Sequence, residues 1–199
     1  MPSDRQDVEH CLKEDSIRVQ RHAEQGAEMT ATVFTIGYEG SEVDHFLATL
    51  GTADISHVID IRDVPASRKR GFSKSALAIA LESRGIAYTH LKALGDPKPG
   101  REAMRRGDYA AFLEIYTDHI QQPAAQAALG EAVTIASAEA SVLLCYERDP
   151  KHCHRTLVAD LMKGLASFTI RHLGVNPPNV RPGARGVDGS EFGATFAVG

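Results

Sequence analysis

Short apolar runs rich in β-branched residues alternate along this chain with stretches whose apolar positions recur every three or four residues. The first run, Val33-Phe34-Thr35-Ile36-Gly37, predicts a strand closed by glycine. Val43, Phe46, Leu47 and Leu50 then follow at helical spacing between Glu42 and Leu50. His57-Val58-Ile59-Asp60-Ile61 predicts a second strand, ended at Val64-Pro65. Ser73 is a suitable N-cap for a helix through Leu77, Ile79, Ala80 and Leu81, with Gly85 as its stop. Ile86 to Leu91 predicts a third strand, and Leu94-Gly95-Asp96-Pro97 to Gly100 a turn-rich loop. Asp108 caps a helix through Tyr109, Phe112, Leu113, Tyr116 and Ile120, and an Ala-rich helix runs from Ala124 to Ala138. Ser141 to Tyr146 is the most continuous apolar run and suits the buried centre of a sheet. An amphipathic helix from Cys153 to Leu165 and a strand from Phe168 to Leu173 complete the pattern.

The resulting order, βαβαβααβαβ, predicts a three-layer α/β fold. Strands separated by helices pair in parallel through right-handed crossovers, so a mostly parallel sheet of five strands carries helices on both faces. Residues 31–174 are expected to form a single α/β domain. Residues 1–30 read as a flexible polar extension: four Lys/Arg and seven Asp/Glu fall within 1–28, with only scattered apolar residues. A short solvated helix from Val8 to Arg21 is the alternative there. Residues 175–199, with five Gly and three Pro, read as a loosely held tail.

Composition narrows the function classes. The chain has 199 residues, 43% apolar and 24% charged, within the globular range. No apolar run approaches the roughly 20 residues of a membrane helix, and the first 30 residues lack the apolar core of a signal peptide. Three cysteines cannot form a disulfide framework, so a reducing, cytoplasmic location is expected. The net charge of −4, from 22 Lys+Arg against 26 Asp+Glu, gives no global basic field, and any anion site must be local.

Candidate chemistry concentrates where ligands bind in open α/β sheets, beyond the carboxyl ends of the strands. The first strand is followed by Tyr38 and Glu39, and the second by Arg62, Ser67, Arg68, Lys69 and Arg70. The fourth leads to Cys145, Glu147 and then His152-Cys153-His154-Arg155 at a helix start. Thr35-Ile36-Gly37-Tyr38-Glu39, Asp60-Ile61-Arg62 with Pro65 and Ser67-Arg68, Leu143-Leu144-Cys145-Tyr146-Glu147, and Cys153-His154-Arg155 together resemble the bacterial family catalogued as domain of unknown function 488. The resemblance spans Thr32 to Leu173. It implies a small cytoplasmic α/β domain and supplies candidate positions without assigning a reaction.

A thiol in the first turn of a helix meets free N–H groups and the positive end of the dipole, which favour thiolate. Cys153 with His154 is therefore a candidate reactive pair, with Glu39 or Glu147 handling protons. Arg62, Arg68 and Arg155, with Tyr38 and Ser67, are candidate holders of an anion such as a phosphorylated metabolite, a nucleotide or a nucleic-acid end. The competing reading makes Cys153 a packed residue, His154 a cap and Arg155 an internal ion pair. No metal and no cofactor is expected, because Cys145 lies on a buried strand and neighbours Cys153 and His154 should diverge at a helix start. A second class of function is a noncatalytic module that binds nucleic acid or protein through the basic loop 62–74. Gly37 and Gly40 are expected to serve tight turning and close backbone approach. Asp60, inside an apolar run, requires a partner such as Arg62 or Arg155.

Overall fold

The computed structural model describes residues 30–175. The polar extension, the Val8–Arg21 segment, Cys11 and the Gly/Pro-rich tail beyond 175 lie outside them. Five strands form one all-parallel sheet: β1 Ala31–Gly37, β2 His57–Asp60, β3 Ala87–His90, β4 Ser141–Cys145 and β5 Phe168–Leu173, in the order β3-β2-β4-β1-β5. Six helices connect them: α1 Val43–Thr52, α2 Lys74–Glu82, α3 Lys98–Arg105, α4 Tyr109–Ile120, α5 Pro123–Ala138 and α6 His154–Leu165. The predicted three-layer α/β architecture is the observed one.

Successive strand residues point to opposite faces of the sheet, and the two cores follow that alternation. Ile36, Val58, Val142 and Leu144 pack with Phe46, Leu47 and Leu50 of α1 and Leu77 and Leu81 of α2. Val33, Ile59 and Leu143 pack on the other face, with α4, α5 and α6 supplying Phe112, Tyr116, Leu129, Val158 and Met162. All five residues of β4 are buried, as expected for the central strand.

One helix departs from the expectation. The turn-rich loop expected from Leu94 to Gly100 gives way at Lys98 to a helix, α3, which runs on to Arg105. Its Pro99 lies in the first turn, where a helix has no use for the missing N–H, so the Pro-Gly signal does not forbid a helix start. No helix among the described residues is long and apolar enough to cross a membrane.

The strand order fixes where a site belongs. The chain leaves β1 toward β2 on one side and leaves β4 toward β5 on the other, so adjacent β1 and β4 form a topological switch point, and a crevice opens beyond their carboxyl ends. Gly37 and Cys145 are register partners at that point. A Cβ on Gly37 would lie 1.8 Å from the Glu147 carbonyl oxygen, so only glycine lets the chain leaving β4 cross β1.

Candidate functional site

Cys145 ends β4 on the face that α6 covers, and Glu147 follows two residues later. A 3₁₀ turn at Pro150–His152 brings the chain back to α6, with Cys153 as its N-cap and His154 as its first residue. This short excursion folds four side chains onto one point. Both thiols contact the same carboxylate oxygen, Glu147 Oε2, with Cys145 Sγ at 2.8 Å and Cys153 Sγ at 3.1 Å. His154 Nδ1 lies 3.6 Å from Cys145 Sγ, while Nε2 lies 3.1 Å from the Ile61 carbonyl. A carbonyl only accepts, so Nε2 donates to it, and Nδ1 is turned to Cys145. One ligand atom from each of the four residues falls within 4.8 Å of all the others.

The cluster is nearly dry. Cys145 is 3% exposed, Cys153 4% and His154 4%, while Glu147 is half-buried. Burial raises the Glu147 carboxyl, but hydrogen bonds from both thiols and the charge of His154 outweigh it and hold the acid below its ordinary value. Burial pushes the Cys145 thiol up, and it pushes Cys153 well above the ordinary thiol range with Cys145 adding to the effect. Burial opposes a charge on His154, yet Cys153, Glu147 and the Ile61 carbonyl raise it to about 9. The cluster therefore has a negative potential that favours a positive charge inside it.

These facts correct the thiolate expected at Cys153. The residue caps α6 in an extended backbone conformation, φ −141° and ψ 135°, and its sulfur turns into the buried cluster. The same conformation removes the basis for expecting a metal-free, cofactor-free site. Cys153 and His154 were expected to diverge as helical neighbours, but Cys153 is not helical, and both side chains reach the cluster.

The arginines turn inward. Arg155 is 1% exposed and donates from Nε to Thr35 Oγ1 at 3.3 Å, from Nη1 to the Glu147 carbonyl, and from Nη2 to the Arg148 carbonyl at 3.0 Å. It pins the backbone that carries Glu147. Arg62 is 4% exposed and forks onto Asp60, with Nε to Oδ1 at 2.8 Å and Nη2 to Oδ2 at 2.6 Å. Its Nη1 donates to the Tyr38 hydroxyl and the Phe72 carbonyl. Both arginines were candidate anion holders, and their donors go instead to Asp60, to the Tyr38 and Thr35 hydroxyls and to backbone carbonyls. Asp60 is partnered by Arg62 and by the Tyr88 hydroxyl at 2.6 Å, as its position in an apolar run required, and Arg155 has no part in it.

The remaining candidates stand apart from the cluster. Tyr38 is 3% exposed and stacks on Phe72 with ring centroids 4.3 Å apart. Glu39 is exposed and accepts from the Arg148 N–H at 3.0 Å, which supports the Glu147 loop from outside. Ser67 accepts from the Lys69 N–H, and Arg68 is exposed. His152 is exposed and faces Asp149 at 3.5 Å.

Sequence reasoning passed over two residues. Cys145 was given no site role because its place on a buried strand counted against a metal site. Its position at the last residue of that strand, two before Glu147, was the available signal. Asp96 gave no signal. It is 7% exposed, and its Oδ1 is a buried oxygen without a hydrogen-bond partner among the described residues.

Fold and site together define an all-parallel three-layer α/β protein with a dithiol, carboxylate and imidazole cluster at its topological switch point. The chain belongs to the family described as "Domain of unknown function DUF488", whose family model matches residues 42–162. The match includes the Asp60, Cys145 and Cys153 motifs and begins after the Thr35–Glu39 motif. No curated protein and no solved structure matches the chain.

Proposed function

We propose that the cluster is a transition-metal centre and that the protein is a metal-dependent enzyme acting on a phosphate-bearing or similar anionic substrate. The observation that carries this reading is the convergence of Cys145 Sγ, Glu147 Oε2, Cys153 Sγ and a ring nitrogen of His154 within 4.8 Å. A tetrahedral zinc ion sits about 2.3 Å from sulfur and about 2.0–2.2 Å from nitrogen or oxygen, so its ligands stand about 3.3–3.8 Å apart. The observed separations need only small adjustment to reach this. Thiolate and imidazole suit zinc or ferrous iron, not magnesium or calcium. The hydrogen bond from His154 Nε2–H to the Ile61 carbonyl is the support that metal-bound histidines usually have, and it leaves Nδ1 to ligate. Glu147 is the half-buried member, and so the ligand that an entering molecule would meet.

Support for the anionic substrate is electrostatic. Arg68, Lys92 and Lys98 follow the carboxyl ends of β2 and β3, and the two lysines keep 70% and 77% of their side-chain surface exposed. Arg155 holds the backbone that carries Glu147 and Arg62 is committed to Asp60, so neither holds the substrate. A second reading, a nucleic-acid-binding module using loop 62–74, is favoured by the exposure of Arg68 and Arg70.

Cobalt(II) titration of the full-length protein tests the metal. One ion per chain with an intense thiolate-to-cobalt absorption is expected, lost in Cys145→Ser and Cys153→Ser. An absent band, or one that survives both substitutions, overturns the centre. Hydrolysis or transfer on a panel of phosphorylated compounds, abolished by chelation and restored by metal, tests the enzyme. Salt-dependent DNA binding by the metal-free chain, without such turnover, favours the second reading.

A further inference from the structure

Asp96 lies between β3 and α3, and its carboxylate does not do what buried carboxylates normally do. Oδ1 has no hydrogen-bond partner among the described residues, although Asp96 is 93% buried by its 7% exposure. An unpaired buried carboxylate is costly, and in native proteins such groups concentrate at working sites. The helix that follows is shaped around this one. Gly100 stands inside α3, where glycine is disfavoured, and a Cβ there would lie 2.1 Å from Asp96 Oδ1. Arg101 does not neutralise the carboxylate by contact. Its Nη1 donates to Asp63 Oδ2 at 2.6 Å and to the Asp96 backbone carbonyl.

Tyr116 ties the Asp96 segment to the cluster, since its ring centroid lies 5.5 Å from that of His154 and its hydroxyl donates to the carbonyl of Leu94, two residues before Asp96. Burial is the main influence, and it raises the acid to about 6. His154 of α6 and Arg101 of α3 pull it down, while Glu147 of the β4–α6 loop and Asp63 of the β2–α2 loop push it up. Tyr116 of α4, whose hydroxyl donates to the Leu94 carbonyl, is held neutral by its own burial and is raised further by Asp96. Two of the four charges that act on Asp96 thus belong to the proposed metal ligands.

We infer that Asp96 is the proton-transfer group of this site, delivering a proton to an anion that enters beside the cluster and recovering it afterwards. The inference rests on the metal-centre reading. In the step, the O–H bond of protonated Asp96 breaks, its electron pair stays on the carboxylate, and the proton forms a new bond to the anion. The reverse transfer restores the acid. An ionised Asp96 repels an incoming anion, and a protonated one donates a hydrogen bond to it.

Two measurements test this. In the metal-free chain, carboxyl ¹³C NMR assigned by difference from Asp96→Asn should show Asp96 titrating near pH 6, and Glu147→Gln should move that titration downward. An ordinary aspartate midpoint, or no response to Glu147→Gln, overturns the inference. In the cobalt-loaded chain, azide affinity read from the visible spectrum should weaken about tenfold per pH unit above pH 6, the slope of one linked proton. Asp96→Asn should keep the thiolate band and lose the slope. A slope that persists in Asp96→Asn overturns the inference. Absence of the cobalt–thiolate band overturns the metal reading alone, because the carboxyl titration is read without metal.

Discussion

Two polar clusters lie beyond the carboxyl ends of the strands, on opposite faces of the same sheet. On the α1/α2 face, Asp60 accepts from Arg62 Nε and Nη2, from the Arg62 backbone N–H and from the Tyr88 hydroxyl, while Arg62 gives its remaining donors to Tyr38 and the Phe72 carbonyl. Donors and acceptors match. On the α6 face, two thiols share one oxygen of Glu147, and nearby Asp96 Oδ1 has no partner among the described residues. A network of full-strength charge-assisted bonds fixes geometry and leaves no capacity for a ligand. The α6-face cluster instead gathers four ligating atoms within 4.8 Å of one another, beside a carboxylate oxygen that has no partner among the described residues. Residues of similar chemical interest thus separate into a charge-paired network and a convergence of soft ligating atoms.

The most severe test of the comparison is to break the closed network. Asp60→Ala leaves the Arg62 guanidinium, 4% exposed, without its carboxylate, and losing one member of a buried pair costs about 3–5 kcal/mol. Urea unfolding should show that loss at pH 7. Cys145→Ala in the metal-free protein should cost less than half as much, since it removes one small neutral group and a single hydrogen bond to Glu147, whose carboxylate keeps Cys153 as a donor. Equal losses would mean that both clusters are scaffold.

Asp96 gives the next largest effect, and its sign is opposite. The folded-state acid is raised from 3.8 to about 6 by burial, so the unfolded chain gives up its proton first as pH rises. Stability therefore falls between about pH 4 and pH 6 and stays lower above, by about 3 kcal/mol for a shift of this size. Asp96→Asn should flatten that part of the stability profile and leave the protein more stable than wild type at pH 7. Unfolding midpoints at pH 4, 5, 6 and 7 check it. Parallel profiles in the two proteins would show that Asp96 finds partners and that the α6-face cluster is as closed as the other.

Most of the fold was legible because its strands are short, apolar and β-branched, and helices with clear periodicity separate them. Asp60 was legible for the same reason, since a single carboxylate within Val58-Ile59-Asp60-Ile61 must be paired. The site was legible only in part. Glu147, Cys153 and His154 are close in sequence, and the structure brings these three candidates together with Cys145. Cys145 was given no role because a place on a buried strand counted against a metal site, although the end of such a strand is where its last side chain meets the cluster. The roles given to Arg62 and Arg155 failed because the carbonyls that accept from them belong to loops whose paths only tertiary structure fixes. Asp96 could not be found from sequence, because its burial depends on Gly100 of α3 lying over its carboxylate, and α3 itself was hidden behind Pro97-Lys98-Pro99-Gly100.

Metal loading sharpens the contrast from the other side. A ligand bound only by the folded state stabilises it by about 2.7 kcal/mol at one hundred times its dissociation constant. Zinc at that excess should raise the melting temperature of the wild type and of Tyr88→Phe by similar amounts, because Tyr88 belongs to the closed network. Glu147→Gln should shrink the increment. If Tyr88→Phe abolishes the zinc response, the two clusters are coupled through the sheet and the division between them is wrong.

The smallest effect concerns how the Glu147 loop is held. Glu39 supports it from the exposed side through the Arg148 N–H, and Arg155 supports it from the buried side through the Glu147 and Arg148 carbonyls. A solvent-exposed hydrogen bond contributes little, and surface substitutions usually stay within about 0.5 kcal/mol. Glu39→Ala should therefore leave the urea midpoint nearly unchanged. Its cobalt affinity should fall by no more than about tenfold, the low end of what outer-shell partners contribute, because Arg155 still fixes the ligand-bearing backbone. A loss of affinity above that range at unchanged stability would move the support of the site from the core to its rim. It would also make Glu39, first considered as a proton carrier, a positioning residue of the centre.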